Sequence, residues 1–158
     1  MRPTEREYSF IGYLESLVTD RGAMADLRRG LGRPPGAAPK MDRHVLPRLP
    51  QPCGQSQEDA YYTVAALFAL WHQGRDRAEG LDGDDGRNRT LGRSLRLLVN
   101  TETDPATREN LEKSIERRLN ALLNSHRDDL PEHLRRIVSL LRAKGVPINW
   151  PQLLNDLQ

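Results

Sequence analysis

At 158 residues the chain has room for one domain, or for two small helical lobes that share an interface. Its single cysteine, Cys53, excludes an internal disulfide framework, and no apolar run approaches the roughly 20 residues needed to cross a bilayer. The net charge of +2 conceals an uneven distribution of charge along the chain. Residues 21–50 carry seven cations and two acids, whereas residues 51–86 carry two cations and seven acids. Residues 87–100 carry four cations and no acid.

The pattern of the first third of the chain is helical. Helical periodicity predominates throughout and no run of alternating β-branched residues indicates a strand, so we predict an all-α helical bundle. Thr4 and Glu7 have the spacing of a capping box at the start of the first helix. A second short helix ends at Gly32, and the prolines of RPPGAAPK then predict a connector. Residues 41–55 predict a helical turn followed by an extended segment.

The middle of the chain combines the most apolar helix with the least periodic segment. Ser56 is predicted to cap the segment QEDAYYTVAALFALWHQ, which should be the central core helix because its apolar residues cover most of its circumference. Residues 74–89 contain four glycines and show no periodicity, which predicts a mobile loop. We therefore expect one domain, with N-terminal helices (1–73), this loop and a C-terminal helical lobe (90–158).

Clear start and stop signals mark the predicted helices of the C-terminal lobe. A short helix, TLGRSLRLLVN, comes first, and Asp104 followed by Pro105 then gives the preferred order of cap and proline. The helix LPEHLRRIVSLLRAKG ends at Gly145, where a hydrophobic residue and a proline follow. Asn149 and Gln152 are expected to cap a final helix.

Residues suited to catalysis or metal binding are sparse. The four histidines occur in separate segments, and no HExxH, paired-cysteine or His–Cys spacing indicates zinc. Cys53 lies between a proline and a glycine in a predicted loop, which is typical of an incidental thiol. GxSxG, P-loop and GxGxxG motifs are absent, and GLDGDDG lacks the glutamate of a calcium loop. We predict a protein that is not an enzyme and has no cofactor or metal.

The cations are mostly arginine, since lysine occurs only three times. A guanidinium group offers phosphate a planar bidentate fork, which suits nucleic-acid backbone. On a helical wheel of LPEHLRRIVSLLRAK, Arg135 and Arg142 lie at one edge of the apolar stripe, Arg136 points to solvent and Lys144 lies on the other side. Arg118 borders the apolar stripe of the preceding helix. Arginines at such an edge bury their stems and line a groove that would follow a phosphate backbone.

The complete set of candidate nucleic-acid-binding residues is Arg28, Arg29, Arg93, Arg96, Arg117, Arg118, Arg135, Arg136, Arg142 and Lys144. Any one of these can instead form a surface ion pair, for which the candidate acids are Glu112, Glu116, Asp128 and Glu132. The aromatic residues expected to fill the core are Tyr8, Tyr13, Tyr61, Tyr62, Trp71 and Trp150. Because few rings are left to stack on bases, we predict recognition of the backbone rather than of bases.

Three segments resemble a known family when taken in order: GAMADLRRG, LGRSL and IERRLNALLNSHRDDLPEHLRRIVSLLRAKGVPINWPQLLNDL. They are similar to the CasB family, the small subunit of the type I-E CRISPR Cascade complex. The resemblance covers roughly residues 4–158 and is most specific in the C-terminal block, whereas residues 74–89 match nothing in it. The matching arginines are Arg28, Arg29, Arg93, Arg117, Arg118, Arg135 and Arg136. Arg142 and Lys144 come from the helical wheel instead, and Arg96 from the face that it shares with Arg93.

The resemblance implies a non-enzymatic, all-α subunit that is present as a pair in an RNA-guided complex. Its implied partners are a second copy of itself, the backbone and large subunits of Cascade, crRNA, and single-stranded and R-loop DNA. Its implied role is to hold the displaced strand of the R-loop. The segment MRPTEREYSF lacks the apolar core of a secretory signal, so we expect a cytoplasmic protein that does not contact membranes.

Other classes of function remain open from the sequence. A helical adaptor could use the same arginines to bind an acidic protein partner. A stand-alone DNA-binding regulator would need polar base-reading groups on a recognition helix, and PEHLRRIVSLLRAK offers few of them. A nuclease would need a carboxylate cluster to hold a divalent metal, and the sequence shows none.

Overall fold

The computed structural model describes residues 1–78 and 89–158, which are helical and contain no strand. The N-terminal helices are α1 (Glu5–Ser16), α2 (Arg21–Arg29), α3 (Pro39–Val45), continued by a 3₁₀ turn (Leu46–Arg48), and α4 (Gln55–Trp71). The C-terminal helices are α5 (Leu91–Thr101), α6 (Pro105–Leu123), α7 (Leu130–Ala143), preceded by a 3₁₀ turn (Arg127–Asp129), and α8 (Trp150–Leu157). The all-α prediction is confirmed. Most of the predicted loop, 74–89, lies outside the described residues.

Helix α4 is the centre of the core, as its apolar composition predicts. Its side chains Tyr61, Leu67, Phe68 and Trp71 are almost completely buried. Helices α2, α7 and α8 pack against it, so its apolar residues meet neighbours on several sides. No described helix is both long and apolar enough to cross a membrane.

The predicted N-cap of α4 is wrong. The helix begins at Gln55, and Gly54 is its N-cap without a side-chain hydrogen bond. Ser56 lies in the first turn, where its hydroxyl donates to the backbone carbonyl of Gln158 (3.3 Å) and accepts from Arg127. The C-terminal residue and the turn before α7 thus occupy the hydroxyl that the sequence assigns to capping.

The predicted caps at Thr4, Asp104 and Asn149 are confirmed, whereas the side-chain amide of Gln152 donates to the carbonyl of Met1 and to Asp156. The N–H of Thr4 donates to Glu7 Oε2 (2.6 Å), which completes the capping box of α1. Asp104 accepts from the N–H of Thr107 (2.9 Å) at α6, and Asn149 accepts from the N–H of Gln152 (3.0 Å) at α8. These contacts form between residues at most three positions apart, which is why sequence spacing finds them.

The last helix, α8, joins the two ends of the chain. It packs against both α1 and α4, and Leu153 and Leu154 are buried there. At its start, the ring of Trp150 meets Phe68 edge-on, with the centroids 5.5 Å apart. The side chain of Gln152 donates to the backbone carbonyl of Met1 (3.1 Å). The C-terminal helix therefore holds the N-terminal helix on the core.

Removal of the buried side chain of Leu154 should reveal this role of α8. Leu154→Ala is expected to lower the free energy of unfolding by about 2–5 kcal/mol, because Leu154 is fully buried and its truncation removes core contacts and leaves a cavity. The matched control is Leu123→Ala at the exposed end of α6, which should change it by no more than about 0.5 kcal/mol. Urea denaturation followed by circular dichroism measures both, and equal effects would contradict the packing described for α8.

Candidate nucleic-acid interface

Arg142 reaches from α7 to the C-terminal end of α4. Its Nε donates to the backbone carbonyl of Trp71 (3.1 Å), and its Nη2 donates to that of Gln73 (2.6 Å). The helical wheel correctly places Arg142 at the edge of the apolar stripe, where it is half-buried. Two of its donors are thus committed to the end of a neighbouring helix, which a wheel of α7 alone does not predict.

Arg28 lies close to Arg142, although the two belong to different helices. Arg28 is half-buried on α2, where burial and then the charges of Arg29 and Arg142 lower the pKa of its guanidinium. It forms no ion pair with any residue of 1–78 or 89–158. Arg29 is exposed and pairs at 3.8 Å with Asp26, which also accepts from Arg43 at 2.7 Å. The only carboxylate of α2 is therefore occupied by other arginines.

Arg135 and Arg136 share one acid within α7. Arg135 binds both carboxylate oxygens of Glu132 (2.9 and 3.0 Å), and Arg136 contacts one of them (3.3 Å). The hydrogen bond from Arg135 is the chief cause that lowers the pKa of Glu132 to about 2. Glu132 therefore stays ionised at neutral pH, and both exposed arginines lie beside a negative charge.

The remaining candidates lie on α5, on α6 and after α7. Arg93 and Arg96 are exposed and three residues apart on α5, so they share a face as predicted. Arg117 is exposed, whereas Arg118 is half-buried and its Nε has no hydrogen-bond partner among the described residues. Lys144 is exposed directly after the last turn of α7.

Most aromatic rings face the core, as the sequence predicts. Tyr61, Tyr62, Trp71 and Trp150 are buried. Tyr8 contradicts the expectation, because it is 46% exposed on the outer side of α1. The buried rings are unavailable for stacking on bases, so the described arginine surface offers charge rather than aromatic platforms.

Two arginines that the sequence analysis did not single out join Arg28 at the end of α4. Arg21, Arg28 and Arg75 line one cleft of about 540 Å³ between α2 and the residues that follow α4, which we name the α2–α4 cleft. Arg75 also donates to the carbonyl of Trp71 (3.2 Å) and lies over its ring, 5.1 Å from the centroid. The seven-residue spacing of Arg21 and Arg28, two helical turns, could have indicated their shared face, but nothing in the sequence places Arg75 beside them.

The described residues contain no group of three His, Cys, Asp or Glu side chains placed to hold a metal ion. Cys53 is half-buried, and burial followed by the charge of Glu58 raises the pKa of its thiol. The thiol is therefore predominantly protonated at neutral pH, which disfavours a nucleophilic role.

Comparison with known proteins identifies the family. The model of the family described as CRISPR-associated protein Cse2 matches residues 23–158. The chain belongs to the Cse2 family. A relative from Thermus thermophilus, described as CRISPR-associated protein Cse2, is 33% identical over 158 residues, which cover 99% of this chain and 80% of the relative.

Three solved structures have the same fold. A chain from a CRISPR RNA-guided surveillance complex has a TM-score of 0.71 at 28% identity, over 97% of this chain and 81% of its own length. CasB from Thermus thermophilus has a TM-score of 0.68 at 32% identity, over 99% of this chain and 86% of its own. M. ruber CasB has a TM-score of 0.69 at 27% identity, over 98% of this chain and 82% of its own. The resemblance to the CasB family is therefore confirmed.

The two hydrogen bonds of Arg142 can be tested through stability. Arg142→Gln should lower the free energy of unfolding by about 1–2 kcal/mol, because the carbonyl of Gln73 loses its charged donor and that of Trp71 keeps only Arg75. The matched control, Arg108→Gln, removes an exposed arginine of α6 that pairs with Glu112 and should change it by no more than about 0.5 kcal/mol. Thermal unfolding measures the loss of free energy of unfolding in both variants. Equal losses would show that the Arg142 contacts do not stabilise the fold.

Proposed function

We propose that this Cse2 chain is a non-catalytic subunit of a CRISPR RNA-guided surveillance complex, Cascade. In this role its basic surface contacts crRNA and the target strand, and it holds the displaced DNA strand of the R-loop without reading its sequence. The family match supports a place in a CRISPR system, and the similar chain from a surveillance complex supports a place in such an assembly.

The partners of the proposed subunit are the backbone and large subunits of Cascade and a second copy of this chain. The nucleic-acid ligands are crRNA and single-stranded or R-loop DNA. Such a complex would act in the cytoplasm, where guide RNA and invading DNA meet. The proposed surface consists of the ten candidate cations named from the sequence, with Arg142 in a structural as well as an electrostatic role.

The observation that carries this proposal is a set of candidate cations that form no ion pair within the described part of the chain. Arg28, Arg96, Arg117 and Lys144 form no ion pair with any residue of the described ranges 1–78 and 89–158. Charged side chains without a local counter-ion leave a positive potential that attracts phosphate. Spread over α2, α5, α6 and the end of α7, they suit an extended polyanion better than a small ligand.

Weak, sequence-independent contacts are sufficient for the proposed role. R-loop formation exchanges a DNA duplex for a heteroduplex of similar stability, so modest contacts on the displaced strand tip the balance. Guide pairing supplies the sequence specificity, and a surface that ignores base identity leaves this specificity undisturbed. Tethering within a complex raises the effective concentration, so each contact can be weak.

The first test is fluorescence anisotropy of the whole chain with labelled single-stranded and duplex DNA of unrelated sequences. We expect binding at low salt that ignores sequence and falls with salt at a slope of about −0.7 per neutralised phosphate on single strands. Arg135→Ala/Arg136→Ala should weaken this binding. The matched control is Arg108→Ala/Lys113→Ala, which also removes two cations paired within one helix but lies outside the candidate set. A folded protein that does not bind at low salt would refute the proposal and favour an adaptor for an acidic protein.

Glu132 provides a test in the opposite direction. Glu132→Gln removes the carboxylate that holds Arg135 and Arg136, so both guanidinium groups become available and DNA should bind about two- to tenfold more tightly at low salt. The control Glu112→Gln on α6 removes one negative charge beside Arg108, which is not a candidate. If both glutamine variants raise the affinity equally, net charge rather than the arginines of α7 explains the effect.

A further inference from the structure

A small pocket lies between α1, the 3₁₀ turn that follows α3, and α4. Its volume is about 340 Å³, and we name it the α1–α4 pocket. The residues that line it from these three elements are Glu5, Arg6, Ser9, Phe10, Arg48 and Tyr61. None of the ten candidate nucleic-acid-binding residues, all of which the structure describes, is among the lining residues. The pocket is therefore separate from the proposed nucleic-acid surface.

The hydroxyl of Tyr61 is a buried donor in this pocket. Tyr61 is only 1% exposed, and its ring packs against that of Phe10 with the centroids 4.6 Å apart. Its hydroxyl forms no hydrogen bond within the described part of the chain, and the oxygen is not sealed off from the pocket. Burial and then the charge of Glu7 raise the pKa of Tyr61 to about 12, so the hydroxyl stays protonated. Because most buried polar side chains have a partner, this donor indicates an acceptor supplied by a ligand.

Two exposed arginines lie beside this donor without an ion-pair partner in the ranges that the structure describes. Arg6 comes from α1 and Arg48 from the 3₁₀ turn. The guanidinium of Arg48 lies over the ring of Tyr13, 3.9 Å from the centroid, and such stacking leaves its N–H edges able to bind an acceptor. Glu5 also lines the pocket but pairs with neither arginine. Two arginines and one acid give the pocket a net positive charge.

The chemistry of the pocket suits a carboxylate. A carboxylate accepts two parallel hydrogen bonds from a guanidinium and a further one from a hydroxyl. The volume of about 340 Å³ is room for one acidic side chain. Phe10 and Tyr61 are too deeply buried to stack on a base, so the pocket offers a nucleotide no contact beyond its phosphate.

The neighbouring surface favours a protein as the source of the carboxylate. Leu46, in the same 3₁₀ turn as Arg48, is 54% exposed, and Tyr8 of α1 is 46% exposed. Aromatic residues and arginine are enriched in protein–protein interfaces, and a protein partner would cover these apolar side chains. The charged backbone of a nucleic acid offers nothing apolar to cover them. An acidic side chain on a protein surface therefore fits both the pocket and the elements that form it.

We infer that the α1–α4 pocket receives an aspartate or glutamate side chain of a neighbouring protein subunit. Arg6 and Arg48 bind its carboxylate, and the hydroxyl of Tyr61 donates a hydrogen bond to it. The inference goes beyond the proposed function and rests on it only for the source of the carboxylate, another protein subunit of the same complex.

The test titrates the whole chain with two soluble ten-residue peptides. The first carries two adjacent glutamates between glycines and serines, and the control peptide carries glutamines at the same positions. The Nε–H resonances of Arg6 and Arg48, observed by NMR, should shift with the glutamate peptide and not with the glutamine peptide. One pocket contact corresponds to a dissociation constant on the order of 1 mM, which this measurement covers.

Tyr61→Phe separates binding from stability. It should weaken binding of the glutamate peptide about three- to tenfold, because the carboxylate loses a donor. It should not lower the melting temperature, since the hydroxyl has no partner in the free chain. The matched control on the same helix is Tyr62→Phe, which removes a hydroxyl that donates to Asp42 (2.9 Å). Tyr62→Phe should lower the melting temperature and leave the peptide affinity unchanged.

The charged groups of the pocket give effects in both directions. Arg48→Gln should weaken binding of the glutamate peptide about fivefold, because one charged donor is lost. Glu5→Gln should tighten binding, because it removes the acid that lines the pocket. The controls on α6 are Arg108→Gln and Glu112→Gln, which change the same charges outside the pocket and should leave the affinity unchanged.

The outcomes separate this inference from the proposed function. If the folded chain binds both peptides equally, or Tyr61→Phe and Arg48→Gln bind the glutamate peptide like the parent, the inference is wrong. It is also wrong if these two variants lose affinity for oligo-dT while the parent shows no preference for glutamate, because the pocket would then belong to the nucleic-acid surface. If the parent binds the glutamate peptide in the pocket but no DNA at low salt, the proposed function fails and the carboxylate site stands.

Discussion

The structure depends on how the C-terminal end of its central helix is satisfied. The last carbonyls of any helix lack partners within the helix, and at α4 this end lies among buried residues such as Trp71 and His72. Side chains supply donors to these groups. Arg142 from α7 and Arg75 from the following segment both bind the carbonyl of Trp71. The same contacts join α7 to α4 and bring positive charge to the end of the helix.

This solution has an electrostatic consequence for the proposed role in binding nucleic acid. Donors without charge would also satisfy the carbonyls, but the guanidinium group of Arg142 adds positive charge near Arg28. The one carboxylate of α2, Asp26, pairs with Arg29 and Arg43 instead of Arg28. On α7, by contrast, a carboxylate partly offsets the positive charge, because Glu132 pairs with both Arg135 and Arg136. A net charge of +2 therefore understates the local potential, which depends on which arginines have a partner.

The accuracy of each sequence-based prediction follows the range of the interaction involved. The capping box of Thr4 and Glu7 and the caps at Asp104 and Asn149 form within three residues, and all are found as predicted. Ser56 has an equally good local signal, but its hydroxyl meets the chain's last residue and the turn before α7. Tyr8 lies on α1 near the apolar stripe, yet it is nearly half exposed because the neighbouring helices do not cover that side.

The sequence by itself determined the all-α class, most helix boundaries, the identity of α4 as the core helix and the resemblance to the CasB family. These depend on local backbone preferences and on periodicity, which a chain carries without its neighbours. Only the tertiary structure decided which arginines are committed to carbonyls or acids and which are not. Arg142 and Arg28 lie more than 100 residues apart, and their approach depends on how α2 and α7 pack around α4. No pattern within either segment encodes that distance, because packing between separate helices sets it.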